Sequence, residues 1–278
     1  MKHIIFGIDE SGYGPNLGPL VVAMTCWEAE TNDITFLLEP MRRAGIHIGD
    51  SKKLYHGGSI APLEAGLFAA LRTVDNEAAP TANDETKIAP LAKTFTAILQ
   101  QHRVRLLDMK YLTVEPEEFN QLLNRLDSKG TLLSDVTLRF ITGQLNTIEH
   151  GNILILCDKH GGRNHYLDLL TQFFPDAFIQ VIQQSRAVSL YRLTDGGRAL
   201  EFRFLAKGET QLPIALASMY AKYHRELSMG RFNAFWRLHL PDIKPTSGYP
   251  VDASRFKSEI SEVQRRLGID DAVLWRNR

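Results

Sequence analysis

Four acidic side chains stand at positions where an acid could do chemistry. Asp9 and Glu10 close a mostly apolar stretch and open a turn crowded with Gly12, Gly14, Pro15 and Gly18. Asp158 ends the apolar run ILILC. Glu226 shares a largely apolar stripe with Ala215, Met219, Tyr223 and Met229, at three- and four-residue spacings. Each acid also has an ordinary reading. Strand-end acids are usually solvated, Asp158 suits a turn or a helix N-cap, and Lys222 lies four residues before Glu226 as an ion-pair partner. Gathered together, the acids would do more. Clustered carboxylates repel one another unless a cation neutralises them. Hard oxygen ligands favour magnesium or manganese over zinc. Two such ions about four ångström apart would activate a water and stabilise a leaving oxygen in phosphodiester cleavage. The acids come from separate segments with no closed spacing motif, so the fold must bring them together.

The elements that could do so are readable in part. Residues 2–9 and 20–26 read as two strands joined by the glycine-rich turn. Residues 104–112 and 153–157 read as further strands. Residues 134–151 carry Leu138, Ile141, Leu145 and Ile148 on one stripe, which predicts a helix capped by Ser134 and closed by Gly151. Residues 188–192 and 200–204 flank Asp195-Gly196-Gly197 as a hairpin. Long helices are expected over 213–236 and 253–267, with Phe232, Phe235 and Trp236 in the core. Residues 75–90 are polar and broken by proline, and read as a loop. Early hairpin strands followed by helix–strand alternation point to an α/β mixed sheet.

Composition limits the partners. The chain has 278 residues and no net charge, which excludes a uniformly basic coat protein. The charge is uneven: residues 1–158 hold 14 basic and 20 acidic side chains, residues 159–278 hold 18 and 12. A basic face for a polyanion is one reading, and surface variation is the other. No apolar stretch is long enough to span a bilayer, and Asp9 and Glu10 interrupt any apolar run a secretory leader would need. Cys26 and Cys157 sit in or beside apolar runs and are expected as free thiols in a reducing cytoplasm.

The ordered motifs are similar to those of a known family. Gly7-Ile8-Asp9-Glu10-Ser11-Gly12-Tyr13-Gly14-Pro15, followed by Gly18-Pro19-Leu20-Val21-Val22, resembles the amino-terminal signature of type 2 ribonucleases H, the ribonuclease HII family. Asp50-Ser51-Lys52-Lys53-Leu54 and Ile155-Leu156-Cys157-Asp158 resemble its next two motifs. Lys207-Gly208-Glu209, continuing through Ala217-Ser218 to Arg225-Glu226, resembles its long catalytic helix, and Ser247-Gly248-Tyr249-Pro250 its glycine–tyrosine motif. The resemblance implies a mixed five-stranded sheet flanked by helices. It divides the chain into a catalytic domain over 1–236, with insertions near 75–90 and 186–206, and a helical extension over 237–278 packed on it. It also implies endonucleolytic cleavage of RNA paired with DNA, leaving a 3′-hydroxyl and a 5′-phosphate. The substrate would be an RNA/DNA hybrid or a ribonucleotide-containing duplex, and the protein a monomer.

Carried over by position, Asp9 would bridge two Mg2+ or Mn2+ ions, Glu10 and Asp158 would hold one, and Glu226 the other. Lys52 and Lys53 would lie near the nucleic-acid backbone. Gly12 and Gly14 would present backbone groups to a ribose 2′-hydroxyl, and Tyr249 would pack against a sugar. Three positions depart from the family pattern. Tyr13 replaces an arginine beside the substrate, Glu226 replaces an aspartate, and Lys159 replaces a glycine, where it could compete for Asp158 or contact phosphate. Arg163 is read as a phosphate contact or as a solvated helix residue. His160 is read as an exposed loop histidine or a proton shuttle. Two rival readings stay open: a degenerate relative that binds nucleic acid without cutting it, and a nuclease of altered substrate specificity.

Overall fold

Strand β1 (His3–Ser11) occupies the middle of a sheet because residues 5–8 are buried on both faces. It pairs antiparallel with β2 (Leu20–Ala29) on one side and parallel with β4 (Gly151–Asp158) on the other. Together with β3 (Arg105–Val114), β5 (Ile179–Gln184), β6 (Val188–Asp195) and β7 (Arg198–Leu205), the sheet runs β3-β2-β1-β4-β7-β6-β5. The structure, a computed structural model, describes residues 2–55, 58–74, 85–126 and 128–277.

The helices follow the strands in chain order. Between β2 and β3 lie α1 (Leu38–Arg43), α2 (Ser51–Leu54), α3 (Ala61–Leu71) and α4 (Glu85–Gln101). Helices α5 (Pro116–Leu126) and α6 (Lys129–Leu145) precede β4, and α7 (Leu167–Phe173) precedes β5. Helices α8 (Leu212–His239), α9 (Pro250–Arg266) and α10 (Asp271–Leu274) end the chain. One apolar cluster packs α1, α3, α4 and α8 on one sheet face, through Met41, Leu67, Phe95, Leu216 and Met219. The other face carries α5, α6 and α7, through Phe119, Leu132, Ile141 and Leu170. A third cluster joins Leu17 and Trp236 to Phe256, Ile260 and Leu274.

One contact sets the height of α8 above the sheet. A side chain at Gly7 would overlap the backbone of Pro213, so only glycine lets the start of α8 rest directly on β1. Thr25 Oγ1 donates to Pro213 O at 2.9 Å and accepts from Trp27 Nε1 at 2.8 Å, which satisfies the buried polar groups at the crossing.

The mixed α/β sheet is as expected, with differences in extent. It has seven strands rather than five, because β5 and β6 continue it past β7. The expected insertion over 186–206 is part of this sheet, and β7 lies inside it as the parallel partner of β4. Helix α6 starts at Lys129, not Ser134. Ser128 caps it by accepting the Thr131 N–H at 3.1 Å, while Ser134 is buried and donates to Gly130 O at 2.9 Å. Gly151 opens β4 rather than closing the helix. Residues 85–90 of the expected loop belong to α4, and 75–84 lie outside the described residues. Helix α9 begins at Pro250, whose fixed φ suits a first turn. Phe232 and Trp236 pack in the third cluster, whereas Phe235 is exposed.

Candidate active site

The strand register gathers the first three acids. In the parallel pair β1–β4, Ile8 lies opposite Cys157, so Asp9 and Asp158 follow at neighbouring strand ends. Glu10 is the next residue, and its N–H donates to Asp9 Oδ1 at 2.8 Å. Helix α8, seated at Gly7, brings Ser218 beside the Asp9 carboxyl, whose charged form its hydroxyl favours. Ser218 Oγ also lies 3.0 Å from Ser51 Oγ at the start of α2. Asp50 caps α2 by accepting the Lys52 N–H at 3.0 Å. The segment thus has a division of labour: Asp50 starts the turn, Ser51 docks it on α8, and Lys52 faces the acids. Lys53 is exposed, with its amine 3.6 Å from Asp50.

The acids perturb one another. Asp9 and Glu10 are half-buried by surface area, but enough protein surrounds them to penalise the charged form. Burial, reinforced by the charge of Asp158, raises Asp9 to about 7, against the pull of Ser218, the Glu10 N–H and Lys52. Burial, Asp9 and Asp158 hold Glu10 well above the usual carboxylate range. Asp158 is raised by burial, while the Gly208 N–H, donating to its Oδ1 at 2.8 Å, opposes the shift. The charge of Glu209 raises Asp158 further.

Glu226 does not join this group. Its carboxylate accepts from Lys222 Nζ at 2.6 Å, Tyr55 Oη at 2.8 Å and Arg225 Nη1 at 3.2 Å. The ion pair with Lys222, available from spacing alone, is the one the structure forms. The fourth acid acting on the cluster is Glu209, which sequence reasoning passed over. It sits in the short turn after β7, and β7 ends beside Asp158 because Leu205 lies opposite it. An acid following Lys-Gly just past a strand parallel to β4 was the available signal. Among the described residues, no three acidic, histidine or cysteine side chains are close enough as they stand to hold one ion.

The remaining candidates fall into two groups flanking the acids. Gly12 has φ +91°, and a side chain there would meet Pro19 O and the buried Arg225 guanidinium. Gly14 is exposed beside the Tyr249 ring, which is 52% exposed and lies 6.0 Å from the Arg225 guanidinium. On the other side, Tyr13 packs against the α5–α7 core cluster, with its hydroxyl close to Gly161. Arg163 Nη2 donates to Thr131 Oγ1 at 3.1 Å.

Two neighbours of Asp158 differ from expectation. Lys159 is buried and turned from the acids: Nζ donates to Asn164 Oδ1 (2.7 Å), Ser185 O (2.7 Å) and Ser189 Oγ (3.0 Å). His160 is buried rather than exposed, with Nδ1 3.0 Å from Ser134 Oγ, and burial lowers it to about 3. A neutral, enclosed imidazole is a poor proton shuttle to solvent-facing chemistry. Arg276, also unanticipated, donates from Nη2 to Gly12 O at 2.6 Å and to Pro15 O, and so braces the glycine-rich turn from the far end of the chain.

This arrangement has solved counterparts. The chain is similar to the RNase HII of Archaeoglobus fulgidus, solved as a PCNA complex, with a TM-score of 0.53 and 19% identity over 99% of this chain and 94% of that one. It is also similar to the ribonuclease H2 of Pyrococcus horikoshii, with a TM-score of 0.52 and 18% identity over 99% and 92%. The fold is ribonuclease H-like. No family model and no curated protein sequence matches the chain. In this ribonuclease H-like sheet the acids occupy the carboxyl ends of the adjacent parallel strands β1 and β4 and the turn after β7. Ligands of α/β sheets collect beyond such strand ends.

Proposed function

We propose that the chain is a divergent ribonuclease HII, a divalent-metal-dependent endonuclease that hydrolyses the RNA strand of RNA/DNA hybrids to 3′-hydroxyl and 5′-phosphate ends. One observation carries this reading: the β1–β4 register sets Asp9, Glu10 and Asp158 at neighbouring strand ends, where Asp158 raises the proton affinity of Asp9 and Glu10, and Glu209 raises that of Asp158. Such a cluster is costly in an empty protein and is relieved by a cation. The donor set is entirely carboxylate oxygen, which fits Mg2+ or Mn2+. Asp9, Glu10, Asp158 and Glu209 would hold the ions. When bound, the ions supply Lewis-acid activation of water and charge neutralisation at the scissile phosphate.

The protein's own groups do the rest. Ser218 and the Glu10 N–H fix the Asp9 carboxyl. Lys52 places a positive charge over the acids, suited to a phosphate oxygen. The Gly12–Gly14 backbone, braced by Arg276, offers close approach to a ribose, and the exposed Tyr249 ring beside Gly14 offers it a face to pack on. Residues from 237 onward serve as a helical extension that steadies this turn through Leu17. Among the described residues no helix is long and apolar enough to cross a membrane. Both cysteines are buried free thiols. We place the protein in the cytoplasm, as a monomer.

The test is cleavage of an end-labelled hybrid with Mg2+ or Mn2+, beside plain DNA, plain RNA and a duplex with one ribonucleotide. Wild type should cut the hybrid and Asp9→Asn should not; equal cutting by both rejects the assignment. Tyr13, standing where the family has an arginine, favours a second reading, a nucleic-acid binder without cleavage. A salt-dependent shift of hybrid with no product under either ion would select it.

A further inference from the structure

The strands that lengthen the sheet end beside the acids. Asp158 lies opposite Leu205, and Leu205 lies opposite Val188. The β5–β6 tip at residues 185–187 is therefore about 10 Å, or two strand spacings, from the end of β4. Backbone bonds fix it there: Ala206 N donates to Ala187 O at 2.8 Å and Lys159 N to Leu205 O at 3.1 Å. The buried Lys159 ammonium adds the bond to Ser185 O, in the tip itself. Its three acceptors are all neutral, so burial of this charge has no carboxylate to offset it. An apolar residue would fill the space at lower cost. What the lysine adds is a rigid link between the tip and the residue after Asp158.

The surface so fixed is cationic. Arg186 in the tip and Lys207 in the turn after β7 are exposed, and neither forms an ion pair or side-chain hydrogen bond among the described residues. Lys207 has φ +61°, a conformation where glycine or asparagine is the usual choice. Residues 179–194 contain no acid; of their two arginines, Arg192 is paired with Glu201 at 2.6 Å and Arg186 carries the tip's charge.

We propose that Arg186 and Lys207 form a phosphate-binding shelf for the substrate duplex, with Lys159 as its positioning residue. The shelf rests on the nucleic-acid reading above and extends it to a region outside the acids and the glycine-rich turn. Phosphates advance about 3.4 Å along the axis per nucleotide of one strand, so a shelf 10 Å away meets the backbone about three nucleotides from the cut.

The experiment measures the affinity of the full chain for a hybrid of about 20 base pairs against salt concentration, with Ca2+ present. Each lost phosphate contact lowers the log–log salt slope by about 0.9. The double variant Arg186→Ala/Lys207→Ala should reduce the slope by about 2, and Lys159→Gln should reduce it by about 1 with both cations intact. Lys2→Ala, at the opposite end of β1, should leave it unchanged. A hybrid trimmed to end at the cleavage position should bind wild type and the double variant alike. An unchanged slope in the double variant, with wild type still cutting hybrid, overturns the shelf and leaves the nuclease reading standing. A Lys159→Gln variant that melts earlier with an unchanged slope removes its positioning role. Wild type that neither binds nor cuts hybrid overturns both readings.

Discussion

Two acidic sites lie along α8, one at Ser218 beside Asp9 and one about two turns further on at Glu226, and they are built on opposite electrostatic plans. Around Asp9, acids face acids, with Lys52, among the described residues, as the one counter-charge acting on all three, and proton affinities rise. Around Glu226, one acid is enclosed by Lys222, Arg225 and Tyr55, and every charge has a partner. The first is an arrangement completed from outside by a cation; the second is already complete. Residue type does not distinguish them, because both are acids on β1 or on elements that contact it. The count of cations within reach does.

The sharpest way to break this contrast is to remove one acid from each side. Asp9→Asn should lower hybrid cleavage about 10³-fold or more, with the fold intact by circular dichroism. Glu226→Gln should do the reverse. Arg225 is 1% exposed, and loss of its partner leaves a buried charge, at a cost of about 3 kcal/mol. Denaturant titration should register that loss, while activity of the folded fraction stays within about tenfold of wild type, the lower range for a supporting residue. Near-complete loss of activity in a stable Glu226→Gln protein would return Glu226 to the metal site.

Glu209→Gln gives a finer division. If Glu209 completes the cluster, cleavage should fall about 100-fold, with the loss partly recovered at higher Mn2+. Unchanged activity and unchanged metal dependence would confine its role to the field it exerts on Asp158. A packing control belongs beside these. Gly7→Ala forces α8 off β1 and should cost about 3 kcal/mol or more, because the obstacle is the Pro213 backbone, not a side chain that can turn aside.

The parts legible in the sequence were those carried by local pattern. The runs before Asp9 and Asp158 are apolar enough to mark central strands, and an acid at the end of each marks the edge. Glu209 was hidden because its segment is a polar turn whose importance comes only from β7 lying parallel to β4. Strand β5 was hidden for a different reason: five of its six residues are exposed, so no alternation announces it. His160 looked exposed, and Lys159 free to reach Asp158 or a phosphate, because two glycines follow them. The loop instead folds inward, where Asn164, Ser185 and Ser189 hold the amine and Ser134 the imidazole. Arg276 meets Gly12 across 264 positions of sequence, a contact no local pattern reports.

The smallest effect is thermal, and it tests whether the acid cluster is destabilising before a cation arrives. Asp9 is raised from 3.8 to about 7 in the fold, so the native protein binds this proton more tightly than the unfolded chain does. Its contribution is therefore full below about pH 4, declines as pH rises toward 7, and is lost above that. Other groups titrate in the same range, including His224, which burial lowers to about 4, so the informative quantity is the difference between two proteins. In EDTA at pH 8, Asp9→Asn should melt a few degrees above wild type, and the gap should close as pH falls below about 5. Saturating Mg2+ at pH 8 should reverse the order, because wild type gains from the cation and the variant gains less. Equal melting temperatures at pH 5 and pH 8, with no response to Mg2+, would mean that the acids at the ends of β1 and β4 are simply solvated and that the contrast with Glu226 has no energetic content.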